Sequence, residues 1–129
     1  KWRYVGNDGA YATGWIKVKG TWYYLHGNGD MATGWLKLGK TWYYLKGSGA
    51  MATGWLKLGK TWYYLKGSGA MATGWYQVGR TWYYSNGSGA MQANRWIGNY
   101  YVKSSGAMAT SQWIGRYHVN ASGKWDKTR

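Results

Sequence analysis

Residues 31–50 read MATGWLKLGKTWYYLKGSGA, and residues 51–70 repeat them letter for letter. Each copy keeps two Trp and two Tyr where one or two large rings would suffice for a core. Gly-Trp recurs at Trp15, Trp35, Trp55 and Trp75, a period of 20, and Trp-Tyr-Tyr follows at Trp22, Trp42, Trp62 and Trp82. A fixed period of this length is the signature of a repeat architecture, one supersecondary unit stacked many times. Trp96 and Trp113 open two shorter copies, RWIGNYYVKSSGAM and QWIGRYHVNASGKW, at a period of 17. Trp2-Arg3-Tyr4-Val5 aligns with Trp22-Tyr23-Tyr24-Leu25, so the sequence is expected to start half-way through a repeat. With Lys1 rather than Met at its head, it reads as a mature or excised piece of something longer. The expected organisation is a truncated repeat and loop over 1–14, four full repeats over 15–95, and two shortened repeats with a terminal cap or transition segment over 96–129.

Within a copy, GWLKLGKTWYYL is rich in β-formers and broken by a short Gly-containing turn, the pattern of a β-hairpin. With Gly39-Lys40 as the turn, Leu38 faces Thr41, Lys37 faces Trp42, Leu36 faces Tyr43 and Trp35 faces Tyr44. Side chains alternate between the two faces of a strand. One face therefore carries Trp35, Lys37, Trp42 and Tyr44, and the other, the expected core face, carries Leu36, Leu38, Tyr43 and Leu45. A lone hairpin is marginal in water, so the units must stack; the fold class predicted is all-β, a solenoid of stacked β-hairpins. The stretch KGSGAMATG supplies the loop to the next hairpin. Its Met51 holds a fixed slot, filled also by Met31, Met71, Met91 and Met108, by Tyr11 in the first unit and by Trp125 in the last, which marks an apolar contact position. In the first short copy a Gly98-Asn99 turn pairs Ile97 with Tyr100 and Trp96 with Tyr101. Two cross-strand pairs are deleted there, and the second Trp with them.

The 129 residues hold 12 Trp, 14 Tyr and no Phe. Rings used only as core filler would include Phe, whereas Trp and Tyr suit places where an edge or face meets something polar. The net charge is +14, from 17 Lys and Arg against Asp8, Asp30 and Asp126. This balance predicts attraction to a polyanion: nucleic acid, an anionic membrane surface or a phosphate-rich cell-wall polymer. The absence of Cys excludes a disulfide framework and thiolate metal sites, and neither a metal nor a cofactor is expected. No apolar run approaches the roughly 18 residues of a membrane span, and no signal peptide is recognisable.

The surplus rings have two readings. They can be stacking material between hairpins, since a stacked array needs apolar surface at every junction. Alternatively, two Trp from one hairpin, a Tyr from the next and a Met from the loop between them form an open-sided box at each junction. A box of electron-rich ring faces suits a large, poorly hydrated cation such as a quaternary ammonium, each ring contributing about 0.5–2 kcal/mol. Three rings near the lower end give a few kcal/mol, close to millimolar affinity. Weak sites in series gain steeply on a polymer that carries many ligands. Because Leu, Ile and Val already supply a core face, the binding reading is favoured.

The unit GWLKLGKTWYYLKGSGAMAT resembles the choline-binding repeat, the cell-wall-binding repeat of pneumococcal-type surface proteins and phage lysins, over essentially the whole chain. The resemblance implies a left-handed solenoid with choline of teichoic acid seated between neighbouring hairpins. Its box residues, carried over by position, are Trp15, Trp22, Met31 and Tyr44 for the first site and Trp35, Trp42, Met51 and Tyr64 for the second. Trp55, Trp62, Met71 and Tyr84 follow for the third, and Trp75, Trp82, Met91 and Tyr101 for the fourth. Beyond this the pattern departs, because Trp96 lacks a second Trp and His118 replaces the Tyr. The resemblance further implies a secreted protein of the bacterial cell surface, its partners being choline of teichoic and lipoteichoic acid and the anionic wall polymer itself. The parent would be a peptidoglycan hydrolase such as a glucosaminidase, amidase or lysozyme, with its catalytic domain on either side of this module.

Lys17, Lys37 and Lys57 fall on the ring face by parity, where a second cation repels a bound one. Either their stems pack and their ammonium groups turn out over Trp, or that face is less exposed than expected; Gln77 at the same place means the charge is not required. No catalytic residues are expected. Glycan acid/base chemistry wants two carboxylates at a defined separation, Asp8 sits in an Asn-Asp-Gly turn, and Ala replaces Asp30 in the next copies. His26 takes a slot filled elsewhere by Lys46 and Lys66, and the loop Ser residues have no His nearby in the repeat to activate them. Nucleic acid, which would need flat open platforms, is not the expected partner. A glucan-type carbohydrate-binding repeat is the closer rival, but sugars also need planar polar side chains and Asn and Gln are few here.

Overall fold

The structure, a computed structural model, describes residues 12–129; Trp2, Arg3, Tyr4, Val5, Asp8 and Tyr11 lie outside the described residues. Thirteen strands and no helix occur among the described residues. Five hairpins pair β1 (Gly14–Val18) with β2 (Thr21–Leu25), β3 (Gly34–Leu38) with β4 (Thr41–Leu45), β5 (Gly54–Leu58) with β6 (Thr61–Leu65), β7 (Gly74–Val78) with β8 (Thr81–Ser85), and β9 (Arg95–Ile97) with β10 (Tyr100–Val102). In a final three-stranded sheet β12 (Tyr117–Val119) pairs with both β11 (Gln112–Ile114) and β13 (Trp125–Thr128). By contact density the chain falls into two compact units, one running to Leu56 and including Tyr64–Met71, the other Lys57–Tyr63 with Ala72–Arg129.

The expected register holds. Trp35 lies opposite Tyr44, Leu36 opposite Tyr43, Lys37 opposite Trp42 and Leu38 opposite Thr41, and Tyr100 faces Ile97 and Tyr101 faces Trp96 in the short hairpin. The turns explain this. Gly39 has φ of 64°, the left-handed value that a Gly-X turn needs at its first position for the strands to keep their twist. In the first hairpin Lys19 and Gly20 both take positive φ, 50° and 83°, as a turn with two left-handed positions demands.

The core differs from the expected aliphatic face. Leu25, Leu45, Leu65, Val102 and Val119 are fully buried, together with Ala32, Ala52, Ala72 and Ala109, whereas Leu36 and Leu38 are only half-buried. A five-residue strand pair is too narrow to cover a whole face. The buried column runs instead where the last residue of each hairpin meets the returning loop: Leu45 bridges Met51, and the Ala52 amide donates to the Tyr44 carbonyl at 2.8 Å. In the fourth hairpin Ser85 takes the buried Leu position, and its hydroxyl bonds the Tyr76 hydroxyl at 2.8 Å. Tyr76 itself stands where the other full copies have Ile16, Leu36 and Leu56, so the polar substitution and its partner come together, as burial of a hydroxyl requires.

Successive loops are also keyed to each other. Gly49, at φ of 91°, lies so close to Met31 that a Cβ there would collide with the thioether; Gly69 stands in the same relation to Met51, Gly106 to Met91 and Gly123 to Met108. Met is unbranched and polarizable, suited to fill such a contact. Gly49→Ala is expected to lose at least about 1–2 kcal/mol, the cost of a side chain in the left-handed region, whereas Gly47→Ala, with open space around it, stays within about 0.5 kcal/mol. Denaturant unfolding of the two variants measures the difference.

Candidate functional site

Each hairpin packs its first Trp against the second Tyr of its own return strand. Trp15 meets Tyr24 at 5.1 Å, Trp35 meets Tyr44 at 5.0 Å, Trp55 meets Tyr64 at 5.0 Å and Trp75 meets Tyr84 at 5.1 Å between ring centroids, all edge to face. The cross-strand register forces this, because those residues are direct partners. The second Trp stands at right angles to the first, 6.4 Å away for Trp15 and Trp22 and 6.3 Å for Trp35 and Trp42. Trp22, Trp42, Trp62 and Trp82 keep 37–39% of their surface exposed, so these rings face solvent rather than filling a core.

The ring that reaches back from the next hairpin is the first Tyr of Trp-Tyr-Tyr. Tyr43 meets Trp15 at 5.0 Å and 68°, and Tyr100 meets Trp75 at 5.6 Å and 67°. The second Tyr, expected to wall the preceding site, makes its ring contact within its own hairpin: Tyr44 lies on Trp35, Tyr84 on Trp75 and Tyr101 on Trp96. Alternation gives the reason. Tyr43 sits on the opposite face of its strand from Tyr44, the face turned to the preceding hairpin.

The loop methionines link neighbouring hairpins through their backbone. The Met51 amide donates to the Trp22 carbonyl at 2.8 Å, Met71 to Trp42 at 2.8 Å, Met91 to Trp62 at 2.9 Å and Met108 to Trp82 at 2.8 Å. The backbone of each of these methionines thus bonds to the preceding hairpin, Met51 to Trp22 and Met108 to Trp82, and also bridges the last strand residue of its own, Leu45 for Met51 and Val102 for Met108. Trp75, Trp82, Tyr100 and Met108, with Ser122, line one cavity of about 330 Å³. Three aromatic walls, one of them carrying the Tyr100 phenol, a thioether and the Ser122 hydroxyl leave no anionic group in that lining. The site suits a soft cation.

The lysines of the ring face resolve in favour of the first alternative. Lys17, Lys37 and Lys57 are exposed, with ammonium groups 5.7, 5.8 and 5.6 Å from the ring centres of Trp22, Trp42 and Trp62. At the far end, Arg129 lies 4.4 Å and Lys127 5.9 Å from the Trp113 ring. One pairing went unseen in the sequence: His118 Nδ1 shares a 2.7 Å hydrogen bond with Asp126 Oδ1, because β13 folds back on β12 with a register shift at His118/Val119. Only knowledge that WDKT forms a strand would have revealed it. Asp30 is held in its own loop, its amide bonded to Asn28 Oδ1 at 2.9 Å. Among the described residues no cluster of three His, Cys, Asp or Glu could hold a metal, and no helix is long and apolar enough to cross a membrane.

Family models of the choline-binding repeat match residues 12–53, 52–96 and 90–125. The chain belongs to the choline-binding repeat family. Choline binding protein F of Streptococcus pneumoniae, solved in the presence of a peptidoglycan analogue, is 48% identical over 98% of this chain and 44% of that one, with a TM-score of 0.90. CbpJ of the same species is 49% identical over 97% of this chain and 45% of its own, at 0.89. The modular autolysin LytC of S. pneumoniae is 38% identical over 99% and 31%, at 0.80. The chain thus spans less than half the length of each. A comparison with curated proteins gave no match. The fold is accordingly the all-β hairpin repeat of the choline-binding solenoids, built as a binding module rather than a catalytic one.

Because an exposed cation–π contact is worth about 0.5–1 kcal/mol, Lys37→Gln, which copies the fourth hairpin's Gln77 into the second, is expected to lower stability by no more than about 1 kcal/mol. Thermal unfolding checks it; a larger loss would mean that the lysine stem, not its charge, holds the ring.

Proposed function

We propose that this chain is a wall-binding module that holds a secreted protein on choline residues of teichoic and lipoteichoic acids. The observation that carries the reading is the cavity walled by Trp75, Trp82, Tyr100 and Met108. Earlier in the chain Tyr43 meets Trp15 as Tyr100 meets Trp75, and the Met51 amide bonds the Trp22 carbonyl as the Met108 amide bonds that of Trp82. A trimethylammonium head presents methyl groups to the rings and keeps its charge over their faces, which replaces much of its weak hydration. The lining of the cavity offers the Tyr100 and Ser122 hydroxyls but no amide or carboxylate side chain, the planar polar groups that a glucan's hydroxyls call for. Basic charge of +14 supports approach to the phosphates that accompany choline in such polymers, at a rate that falls with salt. The likeness to LytC, a modular autolysin, supports a peptidoglycan hydrolase as the attached protein.

Choline titrated against tryptophan fluorescence is expected to give a saturable change in the millimolar range, with no response to glucose oligomers or single-stranded RNA. Trp82→Ala should weaken adsorption to choline-bearing walls by more than one site's share, since the sites act in series. Absence of any response to choline would overturn the proposal, and a response to glucose oligomers alone would favour the carbohydrate reading.

A further inference from the structure

The junction after the fifth hairpin has no second tryptophan, and by the repeat pattern the binding series should stop at it. We infer that it nevertheless forms a further quaternary-ammonium site, with Trp125 as the missing wall. This rests on the reading of the full junctions as choline sites and extends it to a residue set that departs from theirs.

Trp96, Tyr117 and Trp125, with the Gly98-Asn99 turn, line a cavity of about 270 Å³. Its rings are nearly orthogonal in pairs: Trp96 to Tyr117 at 5.8 Å and 82°, Tyr117 to Trp125 at 5.9 Å and 85°. Tyr117 is the first residue after the turn of its short hairpin, the position that Tyr100 holds one unit earlier, so it reaches back to Trp96 as Tyr100 reaches back to Trp75. Trp125 stands in the methionine slot. Its amide donates to the Asn99 carbonyl at 2.8 Å, just as the Met108 amide donates to the Trp82 carbonyl. Deleting two cross-strand pairs replaced the second Trp by Asn99, and the slot residue on the opposite wall became an indole. The box has the same number of rings, with one supplied from the loop side.

Two further observations favour occupancy by a cation. The Trp125 indole N–H is held by the Lys127 carbonyl and the Thr128 hydroxyl, each at 3.2 Å, which fixes the plane of the ring. Among the described residues, no ammonium or guanidinium is placed over Trp96, Tyr117 or Trp125, whereas the neighbouring Trp113 already carries Arg129 and Lys127. The chain's own cations cover the last Trp and leave this box open. Tyr117 and Trp125 keep 42% and 44% of their surface exposed, so a ligand enters from solvent.

The indole N–H resonances of the full chain, followed by NMR during titration with choline chloride, test the inference site by site. Trp96 and Trp125 are expected to shift saturably and with one common dissociation constant. Trp125→Met restores the residue that the other loops carry, so it preserves the slot while removing a ring; it should weaken the Trp96 response about 2- to 30-fold and leave the Trp75 and Trp82 responses unchanged. If Trp96 and Trp125 stay unmoved while Trp75 and Trp82 saturate, this site does not exist and the reading of the full junctions stands. An equal Trp96 response in Trp125→Met would likewise overturn the role of Trp125. If none of the four moves, both readings fall.

Discussion

Each described junction depends on one backbone hydrogen bond, from the amide of the slot residue to a carbonyl at or just after the turn of the hairpin before it. Met51 to Trp22 and Met108 to Trp82 are examples. A two-stranded hairpin has almost no interior, and here each repeat buries little more than one aliphatic side chain and one Ala. Hydrophobic burial alone therefore fixes spacing poorly, and the directional bond fixes it well. It sets the distance at which Tyr43 meets Trp15, and the packing of Met31 beneath Gly49 carries the same spacing to the next loop. The change of period from 20 to 17 residues leaves this bond intact: Trp125 still reaches Asn99.

The two tyrosines of Trp-Tyr-Tyr have different work because they lie on opposite faces of one strand. Tyr44 braces Trp35 inside the hairpin, and Tyr43 reaches across to Trp15 of the previous hairpin. That division explains why each copy keeps four rings. One Trp and one Tyr form an internal edge-to-face pair, which also holds the first Trp upright; the exposed second Trp and the outward Tyr complete a wall on either side of it. No hairpin supplies all the rings of a junction, so on the proposed function affinity belongs to the series and grows with its length.

The sequence made the hairpins legible down to the register, because a Gly-X turn and strict alternation leave few ways to pair GWLKL with TWYYL. A contact surface was legible too, since the surplus of Trp and Tyr over Phe pointed to rings that meet solvent, and Trp22, Trp42, Trp62 and Trp82 are exposed. Which Tyr meets the preceding hairpin was not. Strand parity sorts side chains to faces but does not say which face meets which neighbour, and Leu36 and Leu38 made the Tyr43 face look like core. The buried column of Leu45 and Ala52 arises from the returning loop, which has no periodic signature. The strand Trp125–Thr128 was hidden for a similar reason: WDKT lacks alternation, and its pairing with β12 is visible only in three dimensions.

Intermolecular NOEs from the choline methyl protons to a sample carrying labelled methionine methyls and tyrosine rings test the central claim most directly, because they report which residues of neighbouring hairpins share a ligand. The account predicts that a choline in contact with Trp82 also touches Tyr100 and the Met108 methyl. Contacts to Tyr101 and Met91 in their place would contradict it.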